Sequence, residues 1–529
     1  MVMTLFIRTI IVVKLQTGEW MTAMIRDRVL AIDIGTGSVR VALVGLDGRI
    51  DAMVQREHDQ LTPKHGWSEQ RASQWWANAE NGIRQILSDH PDAAGRLLCV
   101  ATCGQMHGTV LVDDDFQPVL DEVPLWNDKR CEAEVETFSA RDDLPALTTL
   151  TGNPPTTAWP AFKLQWIRRH RPEAWDRASG LLMPKDYINA CLTGVRATDL
   201  SEASCFYLLD ASTGRYDDRL LALFGLSRAF LPEIKTATDV IGAVLPAVCR
   251  STGLPAGLPV VAGTSDMAAS ILGSGVYETG VASDSTGTST LLTVVSPKPR
   301  PAAGVNNLHL ANQAWGVFTI LDSGGDAMRW ARLAFHDNAL SYAEIADLAE
   351  QAPAGSGGLV FLPYLSGERN AARRNARAQF FGLTRRHRAG DLHRAVIEGS
   401  AFGARRCLDD LRAATGPIGR LIASGGGSRS DFVLTVKASI YDLPILRTAD
   451  AENGIVGCAM IGGLGLGAFA DTAEAVRRCV RYDMEIKPNP AWRDRYAKLF
   501  GVFADLYRLG GPYYDLMDQV EGETDTPPG

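Results

Sequence analysis

Two short loops of glycine, threonine and serine, about 250 residues apart, constrain this chain more than any other feature. The first reads Asp33-Ile34-Gly35-Thr36-Gly37-Ser38 and the second Ser285-Thr286-Gly287-Thr288-Ser289-Thr290. An apolar run follows each (39–44 and 291–295), and another precedes the first (29–32). Strand, glycine turn and returning strand make a hairpin whose tip exposes several backbone N–H groups. With the hydroxyls of Thr36, Ser38, Thr288 and Ser289 beside those amides, each tip can wrap around phosphate oxygens. Gly35 and Gly37 are expected at positive φ, where a tight turn wants glycine. One such loop is common turn chemistry. Two of them, one in each half, imply two related lobes gripping one polyphosphate from opposite sides.

At 529 residues the chain exceeds one ordinary domain, and two to four are expected. A net charge of −8 argues against a nucleic-acid or acidic-membrane partner. Nine cysteines lie at 99, 103, 131, 191, 205, 249, 407, 458 and 479, with no C-x-x-C pair. Neither a zinc site nor a dithiol motif is indicated, and an odd, dispersed set fits reduced thiols in cytoplasm. The apolar stretch 4–15 is broken by Arg8 and Lys14 and is too short to span a bilayer. No small-residue cleavage site follows it. Residues 1–28 are therefore expected to lie outside the fold, with translation starting at Met21 or Met24.

Residues 29–57 read as a three-strand meander with Asp47-Gly48 at its second turn. A helix over 72–88, strands at 97–102 and 109–112, and a mainly helical stretch from 125 to 245 follow. A short strand at 259–263 leads into Thr264-Ser265-Asp266 and a helix at 267–272. The second half repeats this order: hairpin, strands, helices at 325–334 and 342–351, and a strand at 358–361. A long helix at 391–415 comes next, then a strand at 418–423 feeding Ser424-Gly425-Gly426-Gly427-Ser428. A helix at 431–440, a strand at 445–447 and a Gly/Ala-rich helix at 454–468 close the core. The expected fold class is α/β, in two lobes: 29–275 and 276–515. The tail 516–529 reads as disordered.

Asp33 ends a buried strand, where a carboxylate can hold Mg2+ while loop amides bind phosphate, or can cap the hairpin as an Asx turn. Asp266 stands between a strand and a helix. It can be an N-cap, or it can take a proton from a hydroxyl at a strand's C-terminal end. Gln105, Met106 and His107 form a polar loop between apolar strands, either satisfied internally or facing a ligand. Trp126, Asn127 and Asp128 read as a sugar-contact cluster or as core. Gly425, Gly426 and Gly427 leave bare backbone on which a flat ring can rest. No G-x-x-x-x-G-K-[ST] occurs, so this is not a Walker-type site.

Taken in order, these segments resemble the FGGY carbohydrate kinases, and among them the xylulokinases, over residues 29–510. The resemblance rests on AIDIGTGS (31–38), GWSEQ with QWW (66–70, 74–76), GQMHG (104–108) and LWNDKRC (125–131). It continues through TGN (151–153), PKDY (184–187), STGTST (285–290), FLPYLSGER (361–369), FFGLT (380–384) and SGGGSRS (424–430). It implies two ribonuclease-H-like lobes of the actin-type ATPase kind around a central cleft. It also implies ATP and Mg2+ as cofactors, a small-molecule sugar substrate, and D-xylulose converted to D-xylulose 5-phosphate.

On this resemblance Asp266 is the general base and also touches the sugar, and Asp33 serves the metal and the transferred phosphate. Gly35, Thr36, Ser38, Gly287, Thr288 and Ser289 form the phosphate loops. Gln105, Met106, His107, Trp126 and Asp128 line the sugar pocket. Gly425, Gly426, Gly427 and Ser428, with the Ser323-Gly324-Gly325 turn, receive adenosine. The chain departs from the family where Thr264, Ser265 and Met267 flank Asp266, where Asn370-Ala371-Ala372 follow Gly367-Glu368-Arg369, and at 452–457. Those departures leave open a kinase for another ketopentose, polyol or small signalling sugar. An actin-like ATPase and a sugar-sensing pseudokinase are the rivals of another class. The oligomeric state stays open, a homodimer included.

Overall fold

The computed structural model describes residues 10–14, 20–24, 26–368 and 373–524. The first glycine loop joins β1 (Arg28–Ile34) to β2 (Ser38–Gly45), both rich in β-branched residues and almost wholly buried. After the Asp47-Gly48 turn, β3 (Ile50–Glu57) alternates half-buried and exposed residues, as an edge strand with one face in water does. β4 (Leu97–Gly104), β5 (Val240–Ala243) and β6 (Pro259–Val261) complete a sheet of order β5-β6-β4-β1-β2-β3. β7 (Thr264–Ser265) runs parallel to the last two residues of β4. Helices α1 (Ala72–Asp89), α2 (Pro184–Thr193), α3 (Leu200–Ser204) and α4 (Asp266–Gly273) are added to this unit. Trp75, Ile83 and Ile86 of α1 share a core with Val39, Val41 and Leu43 of β2.

The second glycine loop joins β8 (Val281–Thr286) to β9 (Thr290–Ser296). With β10 (Asn306–His309), β11 (Trp315–Leu321), β12 (Arg420–Ser424), β13 (Ile445–Thr448) and β14 (Tyr482–Ile486) the order is β10-β11-β9-β8-β12-β13-β14. The wiring repeats that of the first sheet. In each, the hairpin's first strand is antiparallel to its partner and parallel to a later strand, which has a further parallel neighbour. In each, an antiparallel strand borders that last neighbour. Helices α5 (Gly324–His336), α6 (Ala389–Thr415) and α7 (Asp431–Tyr441) belong to this unit. Ala401, Phe402 and Leu408 of α6 pack in its core with Leu292 and Leu421.

The break expected at residue 275 lies beside the one after Gly273, but α8 (Asn453–Gly465) belongs to the first unit. The compact units are discontinuous, with 452–480 grouped with the first and 481–529 with the second. Glycines make this return: a Cβ on Gly457 would lie 1.9 Å from the Ala269 carbonyl oxygen of α4, and one on Gly462 within 3 Å of Cys99 and Val29. Backbone-to-backbone approach of that kind admits no side chain.

Residues 1–28 are not all outside the fold. Arg28 opens β1, Asp27 is bonded to Arg96, and Ile10–Lys14 pairs antiparallel with Trp20–Met24; positions 1–9, 15–19 and 25 lie outside the described residues. The tail is corrected as well, since α9 (Gly511–Thr524) covers 516–524. Tyr514 is buried, and Asp518 and Glu521 pair with Arg377; 525–529 lie outside the described residues. The stretch 125–245 carries more strand than expected, including Ala197–Asp199 and Glu233–Lys235 in parallel pairing.

Candidate active site

Asp33 is the last but one residue of β1, and the hairpin register sets it opposite Arg40 on β2. Arg40 bonds the Asp33 carboxylate with one nitrogen and Glu452, just before α8, with another. The other Asp33 oxygen, Oδ1, is buried with no hydrogen-bond partner, so the Asx-turn reading is set aside. Burial pushes the Asp33 carboxyl above the usual carboxylate range, against the pull of Arg40.

The loop after Asp33 closes through the Gly35 amide donating to the Ser38 carbonyl at 2.9 Å. Neither Gly35 nor Gly37 has positive φ, contrary to expectation. At Gly35 the reason for glycine is space, since a Cβ would sit 3.2 Å from the Ser38 oxygen, whereas a Cβ on Gly37 would meet nothing within 4 Å. Gln70 Nε2 donates to the Thr36 carbonyl, and His58 Nε2 lies 3.1 and 3.2 Å from the Gly35 and Thr36 carbonyls. The Thr36 hydroxyl accepts from Trp126 Nε1 at 3.3 Å.

Gln105 follows directly on β4 and its amide nitrogen donates to Gln70 Oε1 at 2.8 Å. His107 has φ 67°, a left-handed conformation uncommon for a non-glycine residue. Its carbonyl accepts from the Lys163 ammonium at 3.2 Å, and its ring meets Trp159 edge-on at 5.0 Å. Burial, then Lys163, pushes the His107 imidazole down to about 3, so it is neutral. Burial also lowers Lys163, to about 8. Met106 lies against Cys205, sulfur to sulfur at 4.0 Å. Gln105 Oε1, His107 Nδ1 and Asn127 Oδ1 are all buried without a partner. Each such group costs about 1–3 kcal/mol unless a ligand satisfies it.

Asp128 differs from its neighbours. It is fully buried, with Oδ1 taken by the Arg130 amide and guanidinium and Oδ2 by Arg130 and the Ser68 amide. It holds the loop that carries Trp126 and Asn127 and has no face for a sugar.

Asp266 is the first residue of α4. The cap of that helix is Ser265, whose hydroxyl accepts the Ala268 amide at 3.2 Å, while Asp266 Oδ1 accepts the adjacent Met267 amide at 2.7 Å. Burial, and after it the negative charge of Asp33, raises the Asp266 carboxyl to about 7. A carboxylate this basic is a better proton acceptor at neutral pH than an exposed one.

In the second unit the loop 285–290 is backed by a buried ion pair. Lys437 reaches Asp284 at 2.9 and 3.0 Å and Thr286 Oγ1 at 2.7 Å, and Tyr441 donates to Asp284 at 3.1 Å. The glycines around it divide into two kinds. A Cβ on Gly324, Gly325, Gly425 or Gly427 would lie 2.1–2.9 Å from atoms of the loop itself, so these four build the loop's bed. Gly287 and Gly426 face nothing within 4 Å and leave open backbone. Ser428 closes its turn by donating to the Gly425 carbonyl at 2.7 Å.

Arg40, Gln70 and Lys163 were not singled out from the sequence. The hairpin register points to Arg40 and the GWSEQ motif contains Gln70, but Lys163 carries no local signal. Positions 369–372, with the departure at Asn370-Ala371-Ala372, lie outside the described residues.

The model of the N-terminal domain of the FGGY family of carbohydrate kinases matches residues 28–273, and that of its C-terminal domain matches 282–466. A xylulose kinase of Escherichia coli (strain K12) is 33% identical over 416 residues, covering 78% of this chain and 84% of that protein. The crystal structure of xylulose kinase from Rhodospirillum rubrum superposes with a TM-score of 0.87 at 30% identity, covering 92% of this chain and 100% of that one. The structure of gluconate kinase from Lactobacillus acidophilus gives the same TM-score, 0.87, at 26% identity, with 93% and 99% covered. The chain belongs to the FGGY family of carbohydrate kinases. It is a phosphotransferase with an alcohol group as acceptor, using ATP to phosphorylate a sugar.

Proposed function

We propose that the substrate is a ketopentose, D-xylulose, phosphorylated at a terminal hydroxyl to D-xylulose 5-phosphate. The observation that carries the mechanism is the pairing of Asp266, raised to about 7, with the half-satisfied Asp33 in one unit. Asp266 accepts the proton of the hydroxyl that attacks the γ-phosphorus. Gln105, Met106, His107 and Trp126 hold the sugar, with Asn127 Oδ1 added to that set and Asp128 keeping the loop in place. Neutral His107 and the open Gln105 carbonyl suit hydroxyl groups, which both donate and accept.

Backbone amides of 35–38 and 287–289 would hold phosphate oxygens, and bare Gly426 would receive the adenosine ring. The unpartnered Asp33 Oδ1 fits Mg2+, which supplies charge neutralisation on the transferring phosphoryl group. Arg40 keeps the Asp33 carboxylate turned and ionisable. Nine dispersed cysteines, an odd number, support a cytoplasmic setting, and a homodimer is the assembly proposed. Among the described residues, no helix is long and apolar enough to cross a membrane.

A second reading keeps the kinase and changes the sugar. Met267, buried beside Asp266, offers no donor to a sugar hydroxyl, and the fold matches a gluconate kinase as well as a xylulose kinase. ADP release from ATP and Mg2+ against ketopentoses, polyols, gluconate and a blank decides between them. Turnover confined to D-xylulose supports the first; turnover on another member of the panel with none on D-xylulose replaces it.

A further inference from the structure

The four residues that lead into Asp266 are held from several directions. Gly263 has φ +70°, and a Cβ there would lie 1.9 Å from the Thr102 carbonyl oxygen. The Ala262 carbonyl accepts from Asn189 at 2.8 Å and from Lys185 at 3.2 Å, both on α2. Thr264 and Ser265 have no exposed surface, so each hydroxyl must find a partner inside the protein or destabilise it. Both do, and both partners sit at the start of α3. Thr264 Oγ1 donates to Asp199 Oδ2 at 2.8 Å, and Ser265 Oγ lies 2.7 Å from Ser201 Oγ.

Asp199 is itself fixed. It accepts the Ser201 amide at 3.0 Å and the Lys185 ammonium at 3.1 Å. Ser265 also caps α4 through Ala268. The two hydroxyls therefore connect a buried, charge-anchored helix start to the backbone atoms immediately before Asp266. Beside them Glu202 is fully buried with neither carboxylate oxygen partnered, and burial holds its carboxyl well above the usual carboxylate range.

We propose that Asp199 and Ser201 are positioning residues for phosphoryl transfer, acting through the hydroxyls of Thr264 and Ser265 to fix the point from which Asp266 presents its carboxylate. This rests on the reading of Asp266 as the proton acceptor. Proton transfer needs the carboxylate oxygen within about 3 Å of the reacting hydroxyl, and an ångström of misplacement costs on the order of 10²-fold. Neither residue need touch substrate to matter.

The test compares Ser201→Ala, Ser265→Ala, their double variant, Thr264→Val and Thr264→Ser with the native enzyme and Asp266→Asn. The two alanine variants should each lower kcat about tenfold with the ATP KM within twofold of native. The double variant should be no slower than the slower single, because the bond between Ser201 and Ser265 is already lost in each single variant. Thr264→Ser keeps the hydroxyl and should keep kcat within threefold, while Thr264→Val should lose tenfold or more. Native kcat in Ser201→Ala and Ser265→Ala, with only the melting temperature lowered, overturns the inference. So does equal loss in Thr264→Ser and Thr264→Val, which means packing and not the bond. Undiminished turnover by Asp266→Asn overturns the underlying reading instead, and the two failures are told apart in one assay set.

Discussion

Gln105 and Gln70 meet side chain to side chain, the Gln105 amide donating to Gln70 Oε1 at 2.8 Å in a wholly buried setting. Gln70 passes the contact on, since its own amide donates to the Thr36 carbonyl, and its Oε1 also accepts from Trp75 at 3.1 Å. One residue thus joins the first glycine loop, the 104–108 loop and the core of α1. Burial strengthens these bonds, which tie the two loops to one side chain.

Gln70→Leu keeps the volume and removes all three bonds. It strands buried donors on Gln105 and Trp75 and the Thr36 carbonyl, at about 1–3 kcal/mol for each group left unsatisfied. The expected result is a lower melting temperature and a kcat/KM reduced for both sugar and ATP. A variant with native sugar kinetics and only a lowered melting temperature would make Gln70 purely structural.

Asp266→Asn keeps the size and the bond to Met267 within reach while removing the proton acceptor. Turnover should fall by roughly 10² to 10⁴. Sugar affinity, measured by equilibrium binding, should change far less than kcat. A drop in affinity that accounts for the whole loss would reassign Asp266 to binding.

The pH profile carries its own sign. A proton acceptor works only when ionised, and burial with Asp33 nearby moves the Asp266 carboxyl to about 7, opposed by Arg40 and the Met267 amide. Below that pH, kcat/KM should fall roughly tenfold per unit, and above it should level. An ordinary aspartate near 3.9 would place the limb three units lower. Initial rates from pH 5 to 8.5, with enzyme stability checked at each point, separate the two.

The glycine turn at 425–427 separates a nucleotide role from a folding role. Gly426→Ala meets nothing within 4 Å and φ there is not positive, so the melting temperature should hold while the ATP KM rises about tenfold. Gly427→Ala would press on Thr286 at 2.5 Å and should lower the melting temperature by overpacking worth about 1–3 kcal/mol. If Gly426→Ala leaves the ATP KM unchanged, adenosine rests elsewhere.

The local pattern was enough for the elements that carry the chemistry. Continuous apolar runs marked β1, β2, β4 and β9, and the turn chemistry beside them marked both hairpins. Helix Tyr342–Gln351 falls where its periodicity puts it, with Ser341 and Glu344 as a reciprocal cap. Repeated order along the chain was sufficient to expect two lobes of one design, because strand sequence and hairpin placement are read locally. The family motifs added the candidate residues, Asp33, Asp266 and the 105–107 loop among them.

Other properties had no local source. Asp128 carries the same side chain whether it faces a sugar or Arg130, and only the fold brings Arg130 and Ser68 onto both its oxygens. Glycines 425 and 427 look like Gly426 in sequence, yet packing against Thr286 gives them a different task. The return of α8 to the first unit depends on a backbone approach between residues 269 and 457, a separation at which no periodicity operates. The same holds for the carboxyl of Asp266, since its elevation comes from burial and from a second carboxylate more than two hundred positions earlier. Side-chain identity and short-range pattern set what each segment can become, whereas burial and long-range neighbours set which charges are raised, which bonds are closed and which polar atoms remain open for a substrate.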